Sequence, residues 1–158
     1  MTVVTAVVCI TVTVGIHAVV VFWHAWAHMT LAVNMSWLQN AFIVSVIMAT
    51  PVVAGVLVWA PYRRTGALAL TASMFGALIF GVYHHFLDPG VDNISRVPTG
   101  GWGMLLRLTA ILLAILEGWG ASWVGGVFAP SRGLGEAWRS FNVSENTIGG
   151  WWPFFTAG

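Results

Sequence analysis

The sequence predicts an all-α, polytopic membrane protein: a bundle of four transmembrane helices with both termini in the cytoplasm and a short interfacial C-terminal tail. Three observations carry that expectation. Charge is scarce, with 6 arginines, no lysine and 5 Asp+Glu in 158 residues. The hydrophobic fraction is 58 %, above the roughly 45–50 % of a soluble domain, so the chain cannot cover itself with polar surface. No formally charged side chain occurs from residue 1 to residue 62, a stretch too long for a domain of this size to bury from water.

Four apolar windows follow in order, 3–27, 37–60, 67–87 and 103–128. Each is close to the roughly 20 residues that cross about 30 Å of hydrocarbon at 1.5 Å per residue. The first ends in Ala25-Trp26-Ala27, which imitates a small-x-small cleavage site. It lacks a basic leader, and its apolar run exceeds the roughly 7–15 residues of a signal core, so it is expected to be a retained span. The second contains Pro51, whose missing N–H frees a carbonyl one turn earlier and predicts a kink.

A polar turn, Pro61-Tyr62-Arg63-Arg64-Thr65-Gly66, separates the second window from the third. The Pro/Gly-rich stretch 88–102, with Asp88, Asp92 and Arg96, separates the third from the fourth. Small residues mark these last two windows: Gly76, Ala77 and Gly81, then Gly118, Gly120, Ala121, Gly125 and Gly126. Lipid tails are as apolar as leucine, so close backbone approach at small residues is what lets such helices associate. The bundle is thus expected over 1–130 and the tail over 131–158. The tail holds a short amphipathic turn at 136–141 and an aromatic cluster, Trp151-Trp152-Pro153-Phe154-Phe155, which suits an interfacial anchor or a docking surface for another subunit.

Arginine bias sets the orientation. Arg63 and Arg64 in one loop, with Arg132 and Arg139 after the last span, fall on the same side of a four-span layout. That side is then cytoplasmic, and the 28–36 and 88–102 loops lie outside. Trp23, Trp26, Trp37 and Trp102 gather at the outer boundary, with Trp59 and Tyr62 at the inner one, as an aromatic belt would place them. The partners this implies are the lipid bilayer, other membrane subunits or a second copy of the chain. A net charge of +1 gives no basic footprint for nucleic acid. The single cysteine, Cys9, forms no intrachain disulfide.

All five histidines, His17, His24, His28, His84 and His85, fall in or at the ends of the predicted spans. Ionisable residues there are rare and usually face the bundle interior. Spacings of seven and four put His17, His24 and His28 within about 40° of one another at 100° per residue. Thr5, Cys9 and Thr13 continue that stripe. With the first and third helices running the same way, His24 and His28 share a depth with His84 and His85.

Imidazole is the commonest protein metal ligand, and two at i, i+4 can hold one ion. The expected site is therefore an outer-leaflet cluster of His24, His28, His84 and His85. Neighbours in a helix point about 100° apart, so His84-His85 is expected to give one ligand rather than two. Asp88 would add an oxygen ligand or fix an imidazole tautomer, and Asp92, beyond Pro89-Gly90, is the weaker candidate. Such donors suit copper, iron or zinc, and nothing in the sequence narrows the metal; Met29 and Met35 in the first outer loop could favour Cu(I), but methionine is common in membrane segments. One histidine from each helix could instead ligate a b-type haem.

Glu117 is the only acid within a span. It lies near mid-depth, as His17 does, and is expected to pair with it as a proton relay or a buried hydrogen bond. Arg107, one turn inside the fourth span, could snorkel outward, pair with Asp88 or Asp92, or hold a lipid phosphate or haem propionate.

No phosphate loop, G-x-S-x-G elbow or H-E-x-x-H occurs. The histidine boxes of membrane fatty-acid desaturases and hydroxylases are met only in part. His24 and His28 fit HxxxH, but Gly81 stands where an HxxHH box ending at His85 needs histidine, and there is no third box. The leading expectation is a metal- or haem-binding membrane protein with a redox or metal-handling role. The alternatives are a cofactor-free accessory subunit of a larger membrane complex, and a proton or ion pathway through His17 and Glu117.

Overall fold

A computed structural model describes residues 3–128; the tail from 131 onward, with its aromatic cluster and arginines, lies outside the described residues. Among the described residues, four helices are long and apolar enough to cross a membrane. They are α1 (Val3–Thr30), α2 (Trp37–Leu57), α3 (Arg63–Leu87) and α4 (Gly101–Phe128).

Side-chain contacts fix their directions. Gly55 of α2 meets Val14 of α1, and Trp59 beyond α2 donates to Thr11 at 2.9 Å. Ser73 of α3 meets Val46 of α2, and Gly120 of α4 meets Met74 of α3. In each pair one number falls as the other rises, so sequential helices are antiparallel, and α1 and α3 run the same way. Short connections permit little else. Around the ring α4 packs between α1 and α3, and α3 between α4 and α2; α2 closes onto α1 mainly through its Thr50–Leu57 half.

Local sequence explains the irregularities. Ser36 caps α2: its hydroxyl accepts from the Gln39 N–H at 3.3 Å, and the Gln39 side chain accepts from the Ser36 N–H at 2.7 Å. This capping box satisfies two donors that the first turn leaves without partners. Residues Ile43–Ala49 then widen into a π-helix, for which Pro51 is the cause. The Thr50 N–H bonds to the Ser45 carbonyl, and Pro51 has no N–H to offer, so the Val46 carbonyl loses both backbone donors. The buried Ser73 hydroxyl donates to it at 2.5 Å. The proline therefore widens the helix and ties it to α3.

Pro51 aside, one junction differs from the sequence expectation. Arg63 to Gly66, expected in a turn, form the first turn of α3. Gly66 there makes the tightest crossing of α2 and α3: a Cβ would lie 2.8 Å from the Ala54 carbonyl oxygen and 2.9 Å from Leu57 Cβ. The small residues singled out at Gly76 and Gly118 have looser surroundings, with nearest atoms 3.6 and 3.8 Å from a Cβ. Packing distance follows the crossing point, which composition alone does not reveal.

The interior is layered. Val7, Ile10, Ala54, Val58, Ala67, Leu70, Met74 and Val124 fill the end near Trp59. Val20, Val21, Ile47, Ala77 and Leu113 fill the middle, and Ala27, Val97 and Leu106 the end where α1 and α3 finish, hereafter the histidine end. Outward faces are equally apolar: Val4, Val8, Val12, Ile16, Val19, Trp23 and Trp26 are all exposed along α1. A helix that is hydrophobic all round belongs in lipid or in a larger core.

Candidate metal centre

Three histidines converge at the histidine end. His24 and His28 lie one turn apart on α1, and His85 comes from the last turn of α3, a π-helical stretch, Tyr83–Leu87. His24 Nε2 stands 3.1 Å from His85 Nε2 and 3.1 Å from His28 Nε2. All three residues are buried, and their ligand atoms lie within 4.8 Å of one another.

The partners of the other ring nitrogens decide where the protons sit. Thr109 Oγ1 is 2.7 Å from the Leu105 carbonyl oxygen, a contact that requires the hydroxyl hydrogen between two acceptors. Its oxygen is then an acceptor for His24 Nδ1 at 2.8 Å, so His24 carries its proton on Nδ1. His85 Nδ1 faces the main-chain carbonyl of Asp92 at 3.1 Å, which can only accept, so His85 is also protonated at Nδ1. In the neutral rings both Nε2 atoms therefore present lone pairs to each other across 3.1 Å. Such a contact is repulsive unless a cation or an added proton lies between them. A proton on His28 Nε2 could serve His24 but leaves the His24–His85 contact as it was.

These three donors lie close enough together that they could hold a metal ion. At metal–nitrogen bonds of roughly 2.0–2.1 Å, nitrogens 3.1 Å apart subtend about 95–100° at a shared ion. The Nδ1–H bonds to Thr109 and to the Asp92 carbonyl are the outer partners that orient ligating imidazoles. The His24–His85 and His24–His28 pairs do not suit haem. Two ligands on opposite sides of one iron would be about 4 Å apart, twice such a bond, and His24 and His28 share one helix.

Asp92 supplies the carboxylate. Its Oδ1 is 3.1 Å from His28 Nε2 and 3.2 Å from His85 Nδ1, and is buried. The loop folds back to bring it there. The Ile94 N–H donates to the His85 carbonyl at 3.0 Å, and Asn93 Nδ2 donates to the Asp88 carbonyl at 2.8 Å. Arg107 Nη2 donates to the Val97 carbonyl at 2.6 Å, pinning the loop's far side to α4 rather than pairing with either aspartate.

His84 and Asp88 stand apart from the three. His84 lies against Phe80, with ring centroids 4.4 Å apart, and its Nδ1 is 3.5 Å from Asp88 Oδ2. The structure thus brings His24, His28 and His85 together with Asp92, and leaves His84 and Asp88 as a separate pair on the flank. Sequence reasoning ranked Asp92 below Asp88 because Pro89-Gly90 intervenes, and it did not single out Thr109. A hydroxyl in the apolar run of α4 at the depth of His24, Ser122 being the other in that helix, was the available signal.

His17 and Glu117 meet deeper in the bundle. His17 Nε2 is 3.3 Å from Glu117 Oε1, and the residues are only 2 % and 3 % exposed. A Cβ on Gly81 would lie 3.8 Å from Glu117 Oε2 and 4.0 Å from His85 Cδ2, so this glycine keeps open the space between the pair and the three histidines. A cavity of about 380 Å³ runs through it, with His24, His28, His85 and Glu117 in its wall. Its opposite wall is the π-helical part of α2, including Ile43, Val44, Ile47 and Met48.

Comparison of the chain with protein-family models, with curated proteins and with solved structures found no match.

Proposed function

We propose that this is a multi-pass membrane protein that holds one transition-metal ion on His24, His28 and His85 near the outer face, with its exchangeable coordination position open to the interior cavity. The observation that carries the reading is the pair of imidazoles whose Nδ1 protons are committed outward, leaving two Nε2 lone pairs 3.1 Å apart. The buried Asp92 carboxylate, whose Oδ1 lies 3.1 Å from His28 Nε2 and 3.2 Å from His85 Nδ1, supports it by placing a negative charge beside the three rings. Buried charges need a counterion, and a cation beside three neutral imidazoles provides one. Three protein ligands with an accessible fourth position are the arrangement of sites that bind and exchange a ligand rather than of closed structural ones. Both termini are assigned to the cytoplasm by the arginines at 63, 64, 132 and 139.

The pair His17–Glu117 acts with this centre rather than as a channel of its own. The cavity reaches Glu117, while Ile10, Leu70, Met74 and Val124, all 0 % exposed, form an apolar layer on the other side of the pair. Protons exchanged at Glu117 then enter and leave by the histidine end.

The test is Co(II) and Zn(II) titration of protein purified in mild detergent, with elemental analysis. One ion per chain is expected. His24→Ala and His85→Ala should abolish binding, whereas His84→Ala should change affinity less than twofold. Binding that survives His85→Ala, or that is lost equally in His84→Ala, would sink the assignment.

A further inference from the structure

The metal assignment leaves open which ion the centre takes. Three of the methionines, Met29, Met35 and Met48, line the same cavity as the histidines. Met29 lies in the last turn of α1 one residue beyond His28, Met35 lies in the 31–36 connection, and Met48 lies on the π-helical stretch of α2. Met29 and Met48 are exposed, where α1 and α2 diverge beyond their contact at Thr50–Leu57. An ion entering from the water side at the 31–36 connection comes in beside Met29 and Met35, with Met48 lining the cavity deeper in. Thioethers are soft donors that select Cu(I) over Zn(II), Co(II) and other divalent ions.

Charge favours the same ion. His24 and His85, with the tautomers fixed above, and a neutral His28 contribute no charge, and Asp92 contributes one negative charge. A monovalent ion makes the centre neutral with Asp92 alone, whereas a divalent ion leaves it positive unless Glu117, in the same cavity wall and paired with His17, is also ionised. From these two observations we infer that the ion is Cu(I), admitted past these methionines and held on His24, His28 and His85. The inference rests on the metal reading above, and no change of oxidation state is needed for it.

The experiment is anaerobic transfer of Cu(I) from its bicinchoninate complex to the full-length protein in nanodiscs, followed by loss of the complex's visible absorbance. Wild type is compared with a Met29→Leu/Met35→Leu/Met48→Leu variant. Leucine conserves volume and apolarity, so the fold should be retained. Co(II) titration on the same samples reports the histidines alone.

Wild type should take one Cu(I) per chain. The triple variant should load at least tenfold more slowly, while its Co(II) affinity stays within twofold of wild type. Unchanged Cu(I) loading in the variant, an equal loss for both ions, or a wild type that binds Co(II) and refuses Cu(I) would each overturn the inference while leaving the metal site standing. A wild type that binds neither ion would overturn both.

Discussion

Removing the hydroxyl of Thr109 tests the tautomer argument at one atom. Thr109→Val keeps the side chain's shape and deletes the oxygen that accepts His24 Nδ1–H at 2.8 Å. Thr109 is buried, so the freed N–H finds no water, and the ring can lower its cost by turning or by moving its proton to Nε2, the ligating atom. Either change weakens coordination. Loss of an outer partner of this kind typically reduces metal affinity by about 10–100-fold, or roughly 1.4–2.7 kcal/mol at 1.4 kcal/mol per decade. Thr109→Ser, which keeps the acceptor, should stay within about threefold of wild type. Co(II) titration followed by its visible bands measures both variants. If valine and serine variants bound Co(II) equally well and as tightly as wild type, the assignment of the His24 proton to Nδ1 would be wrong, and with it the lone-pair argument for a metal.

Two more outcomes follow from single residues. Asp92→Asn keeps the main-chain carbonyl that orients His85 but removes the negative charge 3.1 Å from His28 Nε2. Metal affinity should fall about tenfold or more, since a full charge at short range in a poorly solvated site is worth at least that much, and titration reads it directly. Gly66→Ala forces a Cβ to within 2.8 Å of the Ala54 carbonyl oxygen. Overpacking of that order typically costs about 1–3 kcal/mol, visible as a lower thermal midpoint in detergent. Co(II) affinity should be retained in the fraction that stays folded, because Gly66 is at the other end of the bundle.

Much of the fold was legible because apolar length is a one-dimensional signal. Four windows near 20 residues correspond to four helices, and the shared direction of α1 and α3 follows from short connections. The i, i+4 spacing of His24 and His28 likewise needed only the helical repeat. What the sequence could not supply depends on how irregular backbone folds back. Asp92 reaches the histidines because Asn93 and Ile94 turn the loop onto the end of α3, a path no periodicity describes. His84 and His85 are neighbours in sequence and separate in space. Which of them faces inward depends on the wide final turn of α3, set by the Asp88 N–H to Tyr83 carbonyl bond of 2.7 Å. Pro51 signalled a kink, but the orphaned carbonyl is that of Val46, and its partner Ser73 lies on another helix.

The divergence of α1 and α2 beyond Thr50–Leu57 also determines what the surroundings of the proposed metal site are made of. At that seam the cavity is bounded by Met29, Val44 and Met48, whose side chains are exposed, so in a bilayer neighbouring acyl chains complete its wall. Chain length, unsaturation and thickness of the host membrane, or the tail of a solubilising detergent, would then tune entry to the centre as a mutation does. Two preparations of identical sequence in different hydrocarbon are, for this protein, chemically different pockets.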